Sequence, residues 1–151
     1  MEDYSYEEIV SKIENIRRFG KASGYEVSKE LLKELDHPEK ELSVIHIAGT
    51  NGKGSTAAFC VSILKEMGKR VGLFTSPHLV TFQERIQVNG ELISKEDVIR
   101  LGTKVLEASE KINLEPTMFD IAMAMALLYF KEQKVDAVVL ETGLGGAKDS
   151  T

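Results

Sequence analysis

Residues 48–55 read Ala-Gly-Thr-Asn-Gly-Lys-Gly-Ser, and their chemistry is that of an anion site. Gly49, Gly52 and Gly54 let the backbone approach a ligand closely, while Lys53 brings one mobile positive charge. The run is close to the phosphate loop G-x-x-x-x-G-K-[ST], with two departures. Position 47 is Ile, and Gly54 stands where a hydroxyl residue would follow the lysine. That hydroxyl would hold Mg2+ beside nucleotide phosphates, so a metal here needs oxygen ligands from elsewhere. Ser76 and Glu141 are the candidates, each placed after a short apolar run, Ser76 on condition that its run lies beside the one that precedes the loop. The competing reading is a plain strand-to-helix turn with Lys53 in solvent. The glycines, the lysine, a strand before and a helix after favour the phosphate loop. Taken alone, Ser76 reads better as a cap or turn before Pro77, and Glu141 as a solvated strand end. Beside the loop, both read better as metal ligands.

These groups need elements that bring them together. Residues 42–48 are short, β-branched and mostly apolar, which predicts a strand. Residues 55–67 predict a helix closed by Gly68, and residues 70–75 a second strand running into Ser76 and Pro77. Together they form a βαβ unit with the glycine loop at its first turn. Upstream, Ser5 and Glu8 have capping-box spacing, Ile9, Ile13 and Ile16 recur at helical spacing, and Gly20 offers a stop. A second helix is predicted over 28–35, ending before His37 and Pro38. Downstream, residues 85–93 alternate around Asn89-Gly90 and predict a hairpin. Ser94 with Asp97 caps a helix to about Lys111, and Thr117 caps another through 119–130. Residues 135–140 form the last predicted strand, ending on Glu141 before Thr142-Gly143-Leu144-Gly145-Gly146. Three strands separated by helices indicate an α/β fold with a mostly parallel sheet. Ligands of such sheets gather at the carboxyl ends of strands, where the loop, Ser76 and Glu141 all fall.

Other residues carry weaker signals. His46, inside a strand, reads as a packed core histidine, and His37 as a surface residue. His78, after Pro77, is open between binding and a solvated loop. No histidine pair has zinc-site spacing. Glu84 and Arg85 flank the hairpin as a candidate surface ion pair. Met118, Phe119, Ile121, Met123, Met125, Leu127 and Leu128 read as a buried helix, with Phe119 the member suited to meet a planar ligand. Gly143, Gly145 and Gly146, following Glu141, suggest a loop lying close to a ligand.

The totals narrow the class. With 151 residues, 42% hydrophobic and 28% charged, the chain is long enough for one domain with a single core. A net charge of −5 argues against general nucleic-acid binding but not against one local anion site. Cys60, the lone cysteine, sits in an apolar run and reads as a buried, inert thiol. The acidic start is unlike a signal peptide, and no apolar run approaches the roughly 20 residues that span a bilayer. A cytoplasmic protein is expected.

The segments HIAGTNGKGS (46–55), TSPHL (75–79), FQERI (82–86), NGELI (89–93) and LETGLGGAKDST (140–151) occur in that order. Together they resemble the amino-terminal part of folylpolyglutamate synthase, including its bifunctional dihydrofolate synthase form, within the Mur-ligase superfamily. RFG (18–20) and PTMFD (116–120) fit as well. The resemblance implies a P-loop NTPase-like fold, with a small β-hairpin, and an ATP-dependent amide ligase. ATP would phosphorylate a carboxylate of folate or dihydropteroate, and the amino group of L-glutamate would attack the acyl phosphate. It further implies that Lys53 is catalytic, neutralising the β- and γ-phosphates within a cradle of Gly49, Thr50, Asn51, Gly52, Lys53, Gly54 and Ser55. Ser76 and Glu141 would hold Mg2+, and Thr117, Phe119 and Asp149 would line the pterin pocket. No nucleic-acid or membrane partner is implied, and a monomer is expected. The chain departs from the pattern at Ala147 and Lys148, where Arg and Leu are common, and at Asp120, where Glu is common. The pattern also continues beyond Thr151. Residues 1–151 are thus expected to be the amino-terminal part of the ATP-binding domain, without its remainder or the carboxy-terminal domain, and inactive alone. Another Mur-type amino-acid ligase and a non-catalytic nucleotide-binding module are the alternatives.

Overall fold

The computed structural model describes residues 4–16, 24–47, 53–76, 78 and 80–141. Its first helix, α1 (Tyr6–Glu14), opens with the reciprocal bonds that the Ser5–Glu8 spacing requires. The Glu8 N–H donates to Ser5 Oγ at 3.2 Å, and the Ser5 N–H to Glu8 Oε1 at 3.1 Å. The helix ends at Asn15, earlier than Gly20, because Asn15 is a weak helix former whose N–H turns back to Ile13 and Ser11. Helix α2 (Gly24–Glu34) begins ahead of the predicted Ser28, and a 3-10 turn over Pro38–Glu41 follows it.

Strand β1 (Val44–Ile47) leads to α3 (Lys53–Glu66), which closes at Gly68 with φ +79°. Strand β2 (Val71–Phe74) then leads through a 3-10 turn at Phe82–Arg85 into β3 (Ile86–Val88) and β4 (Glu91–Leu92). Asn89 and Gly90 join that hairpin, both at positive φ, as a tight primed turn demands. Ser94 caps α4 (Lys95–Lys111) by accepting from the Asp97 N–H, and Thr117 caps α5 (Met118–Glu132). Strand β5 (Ala137–Glu141) comes last.

The five strands form one sheet in the order β1-β5-β2-β3-β4. Strand β5 pairs in parallel with both β1 and β2, whereas β3 and β4 run antiparallel. All five residues of β5 are buried, as a central parallel strand requires. The larger core lies on the face that carries α1, α4 and α5. Helix α5 is buried almost all round because it lies between the sheet and α4, α1 and α2. The smaller cluster, Ile47, Ala57, Val71 and Val139, lies under α3, and Cys60 is only partly buried against it. Gly72 lets the Phe130 ring approach β2: a Cβ there would sit 2.6 Å from Phe130 Cδ1.

His46 is exposed and not packed in the core. Strand β1 is the outermost strand among the described residues, and Val44 and Ile45 beside His46 are also 42% and 40% exposed. A β-branched strand reads alike whether it is interior or at an edge, so composition points to a burial that the topology does not supply.

Candidate functional site

The register brings the carboxyl ends of three strands to one edge. Ile47 pairs with Glu141, and Phe74 pairs with Leu140. Beyond Ile47 the chain re-enters the described structure at Lys53, the first residue of α3; beyond Phe74 lie Thr75 and Ser76. Gly49, Thr50, Asn51 and Gly52 lie outside the described residues, as do Asp149, Ala147, Lys148 and Gly143, Gly145 and Gly146. Gly54 follows Lys53 in the first turn of α3, and Ser55 after it is exposed.

Ser76 follows β2, and residues 48–55 follow β1 in the chain. The structure places β5 between the two strands. At about 4.8 Å per strand, β2 stands roughly 10 Å from β1, and Glu141 occupies the middle position next to both. Glu141 is 9% exposed. Val139, two residues earlier, belongs to the cluster under α3, so strand alternation puts Glu141 on that same face. The positive end of the α3 dipole and a buried carboxylate therefore share one edge and one face of the sheet. Ser76 is half-buried, and the segment before it is anchored: the Thr75 N–H donates to the Arg85 carbonyl at 3.0 Å.

Arg85 is not a surface residue. It is 3% exposed, and its Nε–H donates to His78 Nδ1 at 2.8 Å. With Nδ1 accepting, the neutral His78 ring carries its proton on Nε2, which faces Glu14 Oε1 at 3.4 Å. The ring also stands edge-on to Phe82, with centroids 5.9 Å apart. His78 is thus a link between α1 and the segment after β2. Glu84 caps the 3-10 turn, its Oε2 accepting from the Val80 and Thr81 N–H groups at 2.9 and 2.8 Å. An open cavity of about 310 Å3 lies beside this link, lined by Tyr6, Val10, Glu14, His78, Thr81 and Phe82 among others. Residue-by-residue reading misses this cluster. Its one available signal was the Thr-x-x-Glu spacing of Thr81 and Glu84, a capping box.

The amino end of α5 reaches the same edge. Phe119 is half-buried, with its ring 5.5 Å from and edge-on to Phe74, the last residue of β2. Thr117 Oγ1 accepts from the Asp120 N–H at 3.2 Å and donates to Asp120 Oδ2 at 3.0 Å. That leaves the hydroxyl one lone pair for any ligand. Asp120, 1% exposed, also accepts from the Thr117 N–H at 2.8 Å and from Ser28 Oγ at 3.1 Å, which fastens α2 to the start of α5. Among the described residues no three His, Cys, Asp or Glu side chains cluster as a metal site would. None of their helices is long and apolar enough to cross a membrane.

No protein-family model matches the chain. Individual proteins do. The dihydrofolate synthase/folylpolyglutamate synthase of Bacillus subtilis is 47% identical over 152 residues, covering 97% of this chain and 35% of that protein. A solved folylpolyglutamate synthase complex with AMPPCP and folate superposes with a TM-score of 0.91 at 35% identity, covering 98% of this chain and 37% of that one. Folylpolyglutamate synthase from Thermotoga maritima gives a TM-score of 0.85 at 42% identity, covering 96% and 34%. The chain spans about a third of the length of each of these three proteins. At that identity, across nearly all of its own residues and with the same fold, it belongs to the folylpolyglutamate synthase/dihydrofolate synthase family.

Proposed function

We propose that this chain supplies the nucleotide-phosphate part of an ATP-dependent ligase that joins L-glutamate to folate or to dihydropteroate. The observation that carries the reading is the shared sheet edge: α3 begins there, Glu141 ends the central strand there, and Ser76 follows the next strand. In this reading residues 1–151 are the amino-terminal part of the ATP-binding domain. Gly49, Thr50, Asn51, Gly52, Gly54 and Ser55 line the phosphates with backbone N–H groups at the positive end of α3. Lys53 neutralises charge that builds on the transferred phosphoryl oxygens. Ser76 and Glu141 offer a hydroxyl and a carboxylate, hard oxygen donors of the type that suits Mg2+. Magnesium keeps several waters and phosphate oxygens among its ligands, so two protein oxygens fit its needs, and when bound it would offset phosphate charge. Thr117, Phe119 and Asp149 bound the pterin side, with the Phe119 ring offering its free area to a planar heterocycle. The complex with AMPPCP and folate among the matched structures supports both ligand classes. A monomer in the cytoplasm, with no nucleic-acid or membrane partner, completes the reading.

Equilibrium dialysis with ATP and Mg2+ tests it. The chain is expected to bind ATP, with about tenfold weaker binding in Lys53→Ala and a lost Mg2+ dependence in Glu141→Gln. Binding unchanged in both variants would refute the assignment. The chain alone is expected to show no glutamate-dependent phosphate release with dihydropteroate or folate. Robust release would overturn the view that it is one part of the ligase.

A further inference from the structure

We infer that His78 is a positioning residue for Ser76, and that through it the buried Arg85 and the end of α1 set how tightly the site takes Mg2+. This inference rests on the reading of Ser76 as a magnesium ligand and names what holds that ligand in place.

The pairing of β2 with β3 ends at Phe74 and Ile86, two residues short of Ser76. Beyond it the chain is tied by Arg85. The Arg85 carbonyl accepts from the Thr75 N–H at 3.0 Å, one residue before Ser76. The Arg85 Nε–H donates to His78 Nδ1 at 2.8 Å, two residues after it. One residue therefore grips the chain on both sides of the Ser76 hydroxyl. Its own place is fixed, because Arg85 is buried and Ile86 after it pairs with Phe74. Glu84 takes the far end of the same stretch, its carboxylate accepting from the Val80 and Thr81 N–H groups.

An imidazole suits this place for two reasons. Its nitrogens lie on different sides of a rigid ring, so Nδ1 accepts from Arg85 while Nε2 faces Glu14 Oε1 on α1 at 3.4 Å. The Phe82 ring, edge-on to it, limits how far the imidazole can swing. It is also neutral while it accepts. A carboxylate would hold the guanidinium more strongly, but it would set a further negative charge two residues from the Ser76 hydroxyl, where phosphate is to be held. Metal ligands keep their orientation through outer hydrogen bonds, and loss of such a partner commonly weakens metal binding by about tenfold or more. His78 acts through two residues of chain, so its effect is smaller.

Equilibrium dialysis of ATP over a series of Mg2+ concentrations tests the assignment, together with amide exchange of peptides covering residues 75–76. His78→Ala is expected to raise the Mg2+ concentration for half-maximal ATP binding at least about threefold, with binding restored by excess Mg2+. Exchange at Thr75 should quicken in the same variant. His78→Gln, which keeps an acceptor for Arg85, should recover most of both. Leu106→Ala, a truncation of a buried side chain in α4, lowers stability away from this stretch and should move neither. Glu14→Ala should act in the direction of His78→Ala, and serves if that variant does not fold. An unchanged Mg2+ midpoint in the His78 and Glu14 variants, or an equal shift in Leu106→Ala, would overturn the inference. Ser76→Ala separates the two levels. If it leaves the Mg2+ midpoint unchanged, the reading of Ser76 as a ligand falls and this inference with it. If it shifts the midpoint and the His78 and Glu14 variants do not, the inference alone falls.

Discussion

Replacing Asp120 by alanine removes three hydrogen bonds at one buried point. The carboxylate accepts from the Thr117 N–H, from Thr117 Oγ1 and from Ser28 Oγ, and it sits in the first turn of α5. Loss of half a capping box costs about 1 kcal/mol. Removal of the negative charge from the positive end of the helix costs roughly 0.5 kcal/mol more. Taking a buried acceptor from Ser28 adds about 1 kcal/mol, at the lower end of the range for such deletions. The sum of about 2.5 kcal/mol corresponds to a fall in Tm of roughly 5–10 °C for a chain of this size. Urea melts followed by circular dichroism measure it. Asp120→Asn keeps one acceptor oxygen and the side-chain volume and should lose less than half as much. A double-mutant cycle with Ser28→Ala should return a coupling near 1 kcal/mol, the energy of the α2–α5 tie. A loss below about 0.5 kcal/mol for Asp120→Ala, or a coupling of zero, would refute the reasoning. Because this cap holds Thr117 and Phe119 in place, the ligand contacts proposed for those residues should weaken with it.

Three further outcomes are expected. Gly72→Ala drives a methyl into the Phe130 ring and should lower stability by about 1–3 kcal/mol, with partial recovery on adding Phe130→Leu; an unchanged urea midpoint would contradict the close packing. His78→Ala takes the acceptor from a buried Arg85 Nε–H and should cost about 1–3 kcal/mol by thermal unfolding, whereas His78→Gln, which retains an acceptor, should recover part of it; equal losses in the two would count against the bond. Burial, seconded by the Asp97 carboxylate, pushes the Tyr129 phenol above the usual tyrosine range, so its neutral form is favoured in the folded state. That contribution is complete below the unfolded value of about 10 and is lost as pH rises through the higher folded value. Stability measured from about pH 9 upward should therefore fall more steeply in the parent than in Tyr129→Phe, and parallel curves would exclude the effect.

Local signals in this sequence were legible because they are settled within a few residues. The Ser5, Ser94 and Thr117 caps, the Asn89-Gly90 turn and the apolar run of α5 all depend on neighbours three or four positions away. Strand order was not legible, since pairing of β1 with β5 joins segments from opposite halves of the chain. The consequences reach individual residues: His46 faces solvent because nothing described flanks β1, and Ser76 is separated from β1 by a whole strand. Arg85 read as a surface residue because its type usually is. Its burial comes with the 3-10 turn that sets it beside Phe82 and with His78 folding back onto it, which residue type alone does not encode. The site itself was half legible. Residue types pointed to Ser76 and Glu141, but only the register shows that Glu141 holds the central place.

That central place also sets the order of assembly during synthesis. Among the described residues strand β5 is the only partner of β1 and the only parallel partner of β2, and it is the last described element to leave the ribosome. Until residues 137–141 emerge, the apolar faces of β1 and β2 wait without the strand that joins them, while α4, α5 and the hairpin can form from local contacts. Nascent chains halted before Ala137 should therefore be cut readily by protease within 44–47, and protection should appear in one step once β5 is out. Among the described elements β5 closes the sheet last, so a mutation in β5 exposes β1 and β2 to misassembly for as long as closure is delayed.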